Sequence, residues 1–285
     1  MIHEQSPKGR SAMTEGSYTR YVALGDSQTE GVGDGDDLTG LRGWADRLAE
    51  RLAVTNPELR YANLAVRGKL AHQIRDDQLD AALALRPDLA TVLAGMNDLL
   101  RPNFDPDEIA GHVEAMFAAL TATGAVVATL TFPDVAETIP MARPIRGRIA
   151  AINDRLRAAA HRHGVLVAET GHHPVVTDPR LWDADRLHAS PLGHQRIADA
   201  VAEALRLPGA NDAWTRPLLP ALPENGALRS IAAEFHWAAT ALGPWVMRRL
   251  RGISSGDRRV PKRPVPLPVQ LSDPVTMPGS GVAPA

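Results

Sequence analysis

Along this chain, short apolar runs alternate with longer stretches in which apolar positions recur every three or four residues. Residues 21–27 (YVALGDS) form an apolar, strand-like run that ends in a Gly-Asp-Ser turn. A helical stretch follows, with Trp44, Leu48 and Leu52 at a spacing of four, which places all three on one face. Residues 59–65 predict a second strand, residues 69–85 a helix, and residues 88–95 a buried third strand. Residues 106–123 are helical, with proline at the start and Gly124 just past the end, the usual asymmetry of helix termini. Residues 125–131 predict a fourth strand, 143–163 a helix closed by Gly164, and 165–169 a fifth strand. Ser190 and Pro191 open the last helix of the series as N-cap and first-turn proline.

Strands that alternate with crossover helices specify a parallel sheet covered on both faces. Right-handed crossovers then give a three-layer, doubly wound α/β domain with a five-stranded parallel sheet over residues 18–207. In such sheets the functional loops lie at the carboxyl ends of the strands. That rule selects Ser27, Gly68, Asn97, the loop 132–138 and the loop before the last helix.

The flanking segments have a different texture. Residues 1–17 are polar and are expected to be a disordered extension, with Met13 an alternative start. Residues 208–225, rich in Pro and Leu, are expected to be a linker. Residues 226–252 carry Leu228, Ile231, Phe235, Leu242, Trp245 and Val246 at roughly helical spacing and predict an amphipathic C-terminal helix. Residues 253–285 are Pro-rich, begin basic and become low in complexity, and are expected to be disordered.

Charge and composition narrow the function classes. A formal net charge of −2 supplies no global attraction to nucleic acid, and none is expected as a partner. The absence of cysteine removes disulfides, thiolate metal sites and a cysteine nucleophile. The N-terminus lacks the apolar run of a signal peptide, and no apolar run reaches bilayer-spanning length, so a cytoplasmic location is expected. A basic cluster that includes Arg248, Arg249, Arg251, Arg258, Arg259, Lys262 and Arg263 follows the aromatics of the C-terminal helix. It allows a membrane-surface contact, but the Ala-rich face of that helix suits packing on the domain better.

The candidate chemistry sits at the strand ends. Gly25-Asp26-Ser27 places a hydroxyl and its own backbone N–H where a buried strand turns toward a helix; taken alone, the tripeptide also fits a simple loop cap. Asp185-Arg186-Leu187-His188 supplies what such a serine needs: a base to take its proton and an acid to hold the base. Asp183 competes for the acid role, and the three-residue spacing favours Asp185. Gly95-Met96-Asn97-Asp98 ends the third strand with a side-chain amide suited to a developing oxyanion, although Asn is also a common turn residue. Gly68 can offer a backbone N–H to the same point, so Ser27, Gly68 and Asn97 form the candidate oxyanion hole.

Other polar groupings carry less. Asp34, Asp36 and Asp37 among the glycines of residues 31–43 lack the ligand spacing of a calcium loop and are expected to be a flexible, solvated rim of the cleft. The pairs His161/His163 and His172/His173 lack supporting carboxylates at metal-ligand spacing. His194 is expected to hold a structural hydrogen bond.

Together the four blocks around Ser27, Gly68, Asn97 and His188 resemble, in order and in placement, the conserved blocks of the SGNH (GDSL-type) hydrolase family. The resemblance covers residues 18–207 and implies a flavodoxin-like sheet and hydrolysis of carboxylic esters or thioesters through an acyl-Ser27. It implies Ser27, Asp185 and His188 as the triad, donors at Ser27, Gly68 and Asn97, a small-molecule ester as substrate, and no cofactor. The nucleophile block reads Gln28-Thr29-Glu30-Gly31 instead of the leucine-containing form that names the family. Two other readings stand beside hydrolysis: an acyltransferase using the same site, and a non-catalytic ligand-binding module on the same fold. A nucleotide binder is disfavoured, because no glycine-rich phosphate loop follows the first strand.

Overall fold

The computed structural model describes residues 17–134, 140–222 and 256–271. The N-terminal extension up to residue 16 and the expected helix at 226–252 lie outside the described residues.

The five expected strands form as β1 (Arg20–Gly25), β4 (Arg60–Asn63), β5 (Leu89–Leu93), β6 (Val126–Leu130) and β7 (Leu166–Ala168). They pair in parallel in the order β7-β6-β5-β1-β4. β2 (Gly35–Asp36) and β3 (Gly40–Leu41) make a small separate hairpin. Tyr21, Val22, Ala23 and Leu24 are fully buried, which explains why β1 is an uninterrupted apolar run rather than an alternating one.

Helices α3 (Ala71–Ala84), α4 (Pro106–Ala122) and α5 (Arg146–His163) pack side by side on one face of the sheet. The other face carries α2 (Trp44–Thr55) and α6 (Pro191–Ala204). Trp44, Leu48 and Leu52 are the buried stripe of α2, as their spacing requires. Asp105 caps α4 ahead of its first-turn proline, and Ser190 caps α6 by accepting from Gly193 N–H.

The tail departs from expectation. Residues 263–268, expected to be disordered, form strand β8 (Arg263–Pro268), which pairs antiparallel with β4 and becomes the sixth, edge strand of the sheet. The prolines are what made this segment look unstructured, but they stand at alternate positions, 264, 266 and 268. An edge strand needs N–H groups on one side only, so prolines in alternation can turn their missing donors toward the open side. The antiparallel edge is compatible with a doubly wound sheet that is otherwise parallel.

Among the described residues, no helix is long and apolar enough to cross a membrane. Three cations of the basic cluster are engaged by the domain. Arg259 pairs with Asp37, Lys262 with Asp46, and the Arg263 guanidinium lies over the Tyr61 ring. Arg248, Arg249 and Arg251 lie outside the described residues.

Candidate active site

β1 delivers the serine. Its last residue, Gly25, lies so close to its surroundings that a Cβ there would sit 2.4 Å from Thr29 Oγ1 and 2.9 Å from Leu93 O. The buried side chain of Gln78, on α3, acts as an extra strand partner for this glycine. Its Oε1 accepts from Gly25 N–H and its Nε2 donates to Gly25 O, both at 2.9 Å. Both backbone hydrogen-bonding groups of Gly25 are therefore held by one side chain. Asp26 caps the one-turn helix α1 (Ser27–Glu30) by accepting from Gln28 N–H. Ser27, half-buried, is the first residue of that turn.

The residues 182–189 form a closed loop. Trp182 and Ala189 make an antiparallel bridge, Asp183 N–H donates to His188 O, and Ser190 N–H donates to Leu181 O. Arg186 takes up a left-handed conformation with φ +56, which lets the chain double back. As a result Asp185 makes three hydrogen bonds within the loop, two of them to His188. One carboxylate oxygen accepts from the backbone N–H of both Leu187 and His188, and the other lies 2.6 Å from His188 Nδ1. Burial would raise the Asp185 carboxyl, but the hydrogen bond and charge of His188 and the two backbone donors outweigh it and hold it below the ordinary carboxylate range. Asp183 is exposed. Its backbone, not its carboxylate, closes the loop.

The two segments are stitched together by a residue that the sequence does not single out. Gln28 Nε2 donates to Leu187 O at 3.0 Å, and Gln28 Oε1 accepts from Ala189 N–H at 3.3 Å. Gly33 (φ +100) packs on the same loop, and a Cβ there would lie 2.1 Å from Ala189 O and 3.3 Å from His188 Cβ. His194, fully buried, serves the scaffold: Nδ1 accepts from Trp44 N–H, so Nε2 carries the proton and donates to Val32 O. Burial pushes its pKa down to about 4, so it stays neutral.

On the other side of β1, Gly68 follows β4 in a left-handed conformation (φ +78) that glycine alone adopts without strain. The residue before it is held firmly. Arg67 donates both its backbone N–H and its guanidinium to the buried carboxylate of Glu30, at 2.6 and 2.7 Å. Asn97, at the end of β5, donates its amide to Asp26 Oδ2 at 2.9 Å and to Lys69 O at 3.1 Å. Asn97 is thus tied to the residue before Ser27 and to the residue after Gly68. Asp26 is buried, and that burial, against the hydrogen bonds of Gln28 and Asn97 and the charge of His188, raises its pKa to about 7.

An apolar cavity opens beside Asp26, Gln28 and Ala189, on the β5–β6 side of the serine. Met96, Leu130, Phe132, Val176, Trp182 and Trp214 contribute to its wall. Asn153 anchors the start of the adjoining loop by pairing with both the N–H and the C=O of Phe132.

The polar groupings set aside above have structural partners. Asp34 pairs with Arg47, Asp36 caps its own turn at Leu38 and Thr39, and Asp37 pairs with Arg67 and Arg259. The loop 31–43 is thus solvent-exposed over residues 35–40, as expected of a rim, and is pinned to its neighbours through Asp34 and Asp37. His163 meets Glu114, and His173 stands edge-on to Trp214. Among the described residues, no group of three or more His, Asp or Glu is placed to hold a metal ion.

A doubly wound sheet that carries a serine after β1, an amide after β5 and an Asp–His loop ahead of its last helix is the arrangement of an SGNH hydrolase. The chain belongs to the GDSL-like lipase/acylhydrolase family, which matches residues 23–196, and it is a serine esterase of that class. It is 28% identical over 196 residues to a GDSL lipase of Mycobacterium tuberculosis, spanning 65% of this chain and 81% of that protein. Among solved structures it resembles an acetylxylan esterase from Geobacillus stearothermophilus (TM-score 0.56, 18% identity, 72% of this chain and 99% of that one). It also resembles an alpha/beta hydrolase enzyme from the metagenome of Lake Arreo, Spain (TM-score 0.56, 23% identity, 66% and 95%). These two likenesses concern the fold. The family match ends before residue 256, so β8 and the segment leading into it lie outside it.

Proposed function

We propose that the protein hydrolyses carboxylic esters through an acyl-Ser27 intermediate, with His188 as general base and acid and Asp185 as its orienting carboxylate. The observation that carries this reading is the 2.6 Å contact between Asp185 Oδ2 and His188 Nδ1, in a loop bracketed by the neighbour of Ser27. With Nδ1 engaged by Asp185, Nε2 is the nitrogen left to take a proton.

In the first half-reaction His188 Nε2 takes the Ser27 hydroxyl proton as Oγ attacks the acyl carbon. The resulting oxyanion is received by the N–H groups of Ser27 and Gly68 and by the Asn97 amide. Asn97 would exchange its neutral Lys69 carbonyl partner for the charged oxygen, a stronger acceptor. The imidazolium, stabilised by Asp185, then protonates the leaving alkoxide, and the alcohol departs. Water enters, loses a proton to His188 and releases the acid, restoring Ser27. Each step balances without a cofactor. The acyl portion is assigned to the apolar cavity beside Gln28, because its walls offer little for a polar group to bond.

The test is hydrolysis of p-nitrophenyl esters by the wild type and by Ser27→Ala, His188→Ala, Asp185→Asn and Asp183→Asn. The first three should lose about 10³-fold or more in kcat, while Asp183→Asn stays near wild type. Full activity in Ser27→Ala would end the acyl-serine reading. Transfer of the acyl group to an added alcohol in preference to water would make the protein an acyltransferase at the same site.

A further inference from the structure

The peptide unit that joins Arg67 to Gly68 has two ends. Its N–H is the Gly68 donor assigned above to the oxyanion, and its C=O faces away from that role, toward the C-terminal segment. Gly256 is buried against this carbonyl, and a Cβ built on Gly256 would lie 2.0 Å from Arg67 O and 3.1 Å from Val66 Cγ1. Only a residue without a side chain fits there. The backbone of residue 256 thus backs the same peptide plane whose N–H is assigned to the oxyanion.

The contact is reinforced by charge. Arg67 donates to Glu30 and also to Asp37 Oδ1 at 2.9 Å. Arg259 grips the same Asp37 carboxylate with two bonds, at 3.0 and 2.6 Å. Glu30, Arg67, Asp37 and Arg259 therefore form an alternating chain of charges that runs from the one-turn helix beginning at Ser27 to the C-terminal segment. Beyond it, Lys262 Nζ bonds Asp46 Oδ2 and Leu41 O, at 2.6 and 3.0 Å, and Arg263 Nε bonds Tyr61 O at 2.7 Å. β8 then continues along β4, the strand that leads into the Gly68 loop. The segment 256–268 is a strap laid behind one of the three oxyanion donors and fastened along its length.

We infer that this strap positions the oxyanion donor: Gly256, with Arg259 acting through Asp37, holds the Arg67–Gly68 peptide at the angle the developing oxyanion requires. The inference rests on the reading of Gly68 as an oxyanion donor. A strap that only covered the sheet edge would need its β8 pairing, and neither a glycine pressed on Arg67 O nor an ion pair to Asp37 would follow from that role. Donor geometry matters because an oxyanion hole works through fixed dipoles, and loss of one donor typically costs about 10²–10³ in turnover. Tilting a donor costs less than deleting it.

The experiment uses the full-length chain with Gly256→Ala, Arg259→Ala and Arg259→Lys. For each, kcat and KM on a short p-nitrophenyl ester are measured together with the rate of inactivation by a p-nitrophenyl alkylphosphonate, whose adduct on Ser27 carries a charged oxygen in the same hole. Gly256→Ala should lower kcat and the inactivation rate together by about tenfold or more, with KM within about twofold, the signature of an interaction used only in the transition state. Arg259→Ala should lower both by about threefold, because its ion pair is half-exposed, and Arg259→Lys should recover part of that.

Unchanged kcat in Gly256→Ala, or kcat and KM moving in step with a lowered Tm, would overturn the inference. If Gly256→Ala does not fold, Arg259→Ala decides: it lies on the surface, and wild-type kcat and inactivation rate there would equally overturn it. Ser27→Ala, run beside them, separates the two readings. Activity lost in Ser27→Ala but intact in the strap variants removes only the strap; activity retained in Ser27→Ala removes the site reading beneath it.

Discussion

Gln28 holds His188 from both sides. Its side-chain amide spans from Leu187 O to Ala189 N–H, so the backbone just before and just after the histidine is fastened to the residue that follows Ser27. A nucleophile and its base on segments this far apart in sequence must be held in register by something shorter than the chain between them. One planar amide, donating at one end and accepting at the other, does so at the cost of ordering a single side chain. Gln28→Ala should therefore lower kcat by about tenfold while leaving KM nearly unchanged, since a small misplacement of reacting groups is felt in the transition state. Gln28→Glu keeps the acceptor for Ala189 but presents no donor to Leu187 O, so it should fall below wild type as well. Wild-type kcat in both variants would show that the bracket is dispensable.

Asp26 should make the fold less stable as pH rises. Its folded pKa of about 7 lies above the ordinary 3.8 because burial disfavours its charge. The folded state therefore holds a proton that the unfolded chain releases. The associated stability is complete below pH 3.8 and is lost as pH rises through 7. Between pH 5 and pH 8 the loss is on the order of 2–3 kcal/mol. Asp26→Asn, which has no proton to lose, should not share that slope. Urea unfolding of both proteins at pH 5 and pH 8 measures it, and parallel slopes would contradict the burial argument.

His194 acts in the opposite direction. Its folded pKa of about 4 lies below the ordinary 6.5, chiefly because it is buried. The unfolded chain binds a proton that the fold excludes, so its contribution is full above pH 6.5 and drains away as pH falls through 4. The neutral ring is also what accepts the first N–H of α2 through Nδ1, which protonation would forbid. His194→Gln can accept from Trp44 and donate to Val32 without titrating. It should show a smaller fall in Tm between pH 7 and pH 4.5 than the wild type does, and an equal fall would place the acid sensitivity elsewhere.

The apolar cavity yields a specificity prediction. Val176 lines it, and its side chain is only half-buried, so Val176→Trp can fill the space without rebuilding the core. Hydrolysis of hexanoate and longer esters should fall by about tenfold or more in kcat/KM while acetate is spared, because each displaced methylene forfeits on the order of 1 kcal/mol of burial. Equal loss on acetate and on long chains would mean that the acyl group lies elsewhere.

The sequence by itself determined the five parallel strands, the crossover helices and the strand ends where chemistry collects. Each of these is a short-range property: an apolar run for β1, a spacing of four for Trp44, Leu48 and Leu52, a cap and proline for α6. The pairing of Asp185 with His188 was legible for the same reason, since both lie in one loop three residues apart. Only the tertiary structure decided that Gln28 would reach the His188 loop, that Gln78 would fix Gly25, and that a proline-rich tail would return as an edge strand. The contact between Arg259 and Asp37 spans 222 residues, and that between Gln28 and Leu187 spans 159. Such contacts have no period to read. They depend on the register of elements packed in three dimensions, where an isolated polar side chain acquires its meaning from whatever the fold sets opposite it.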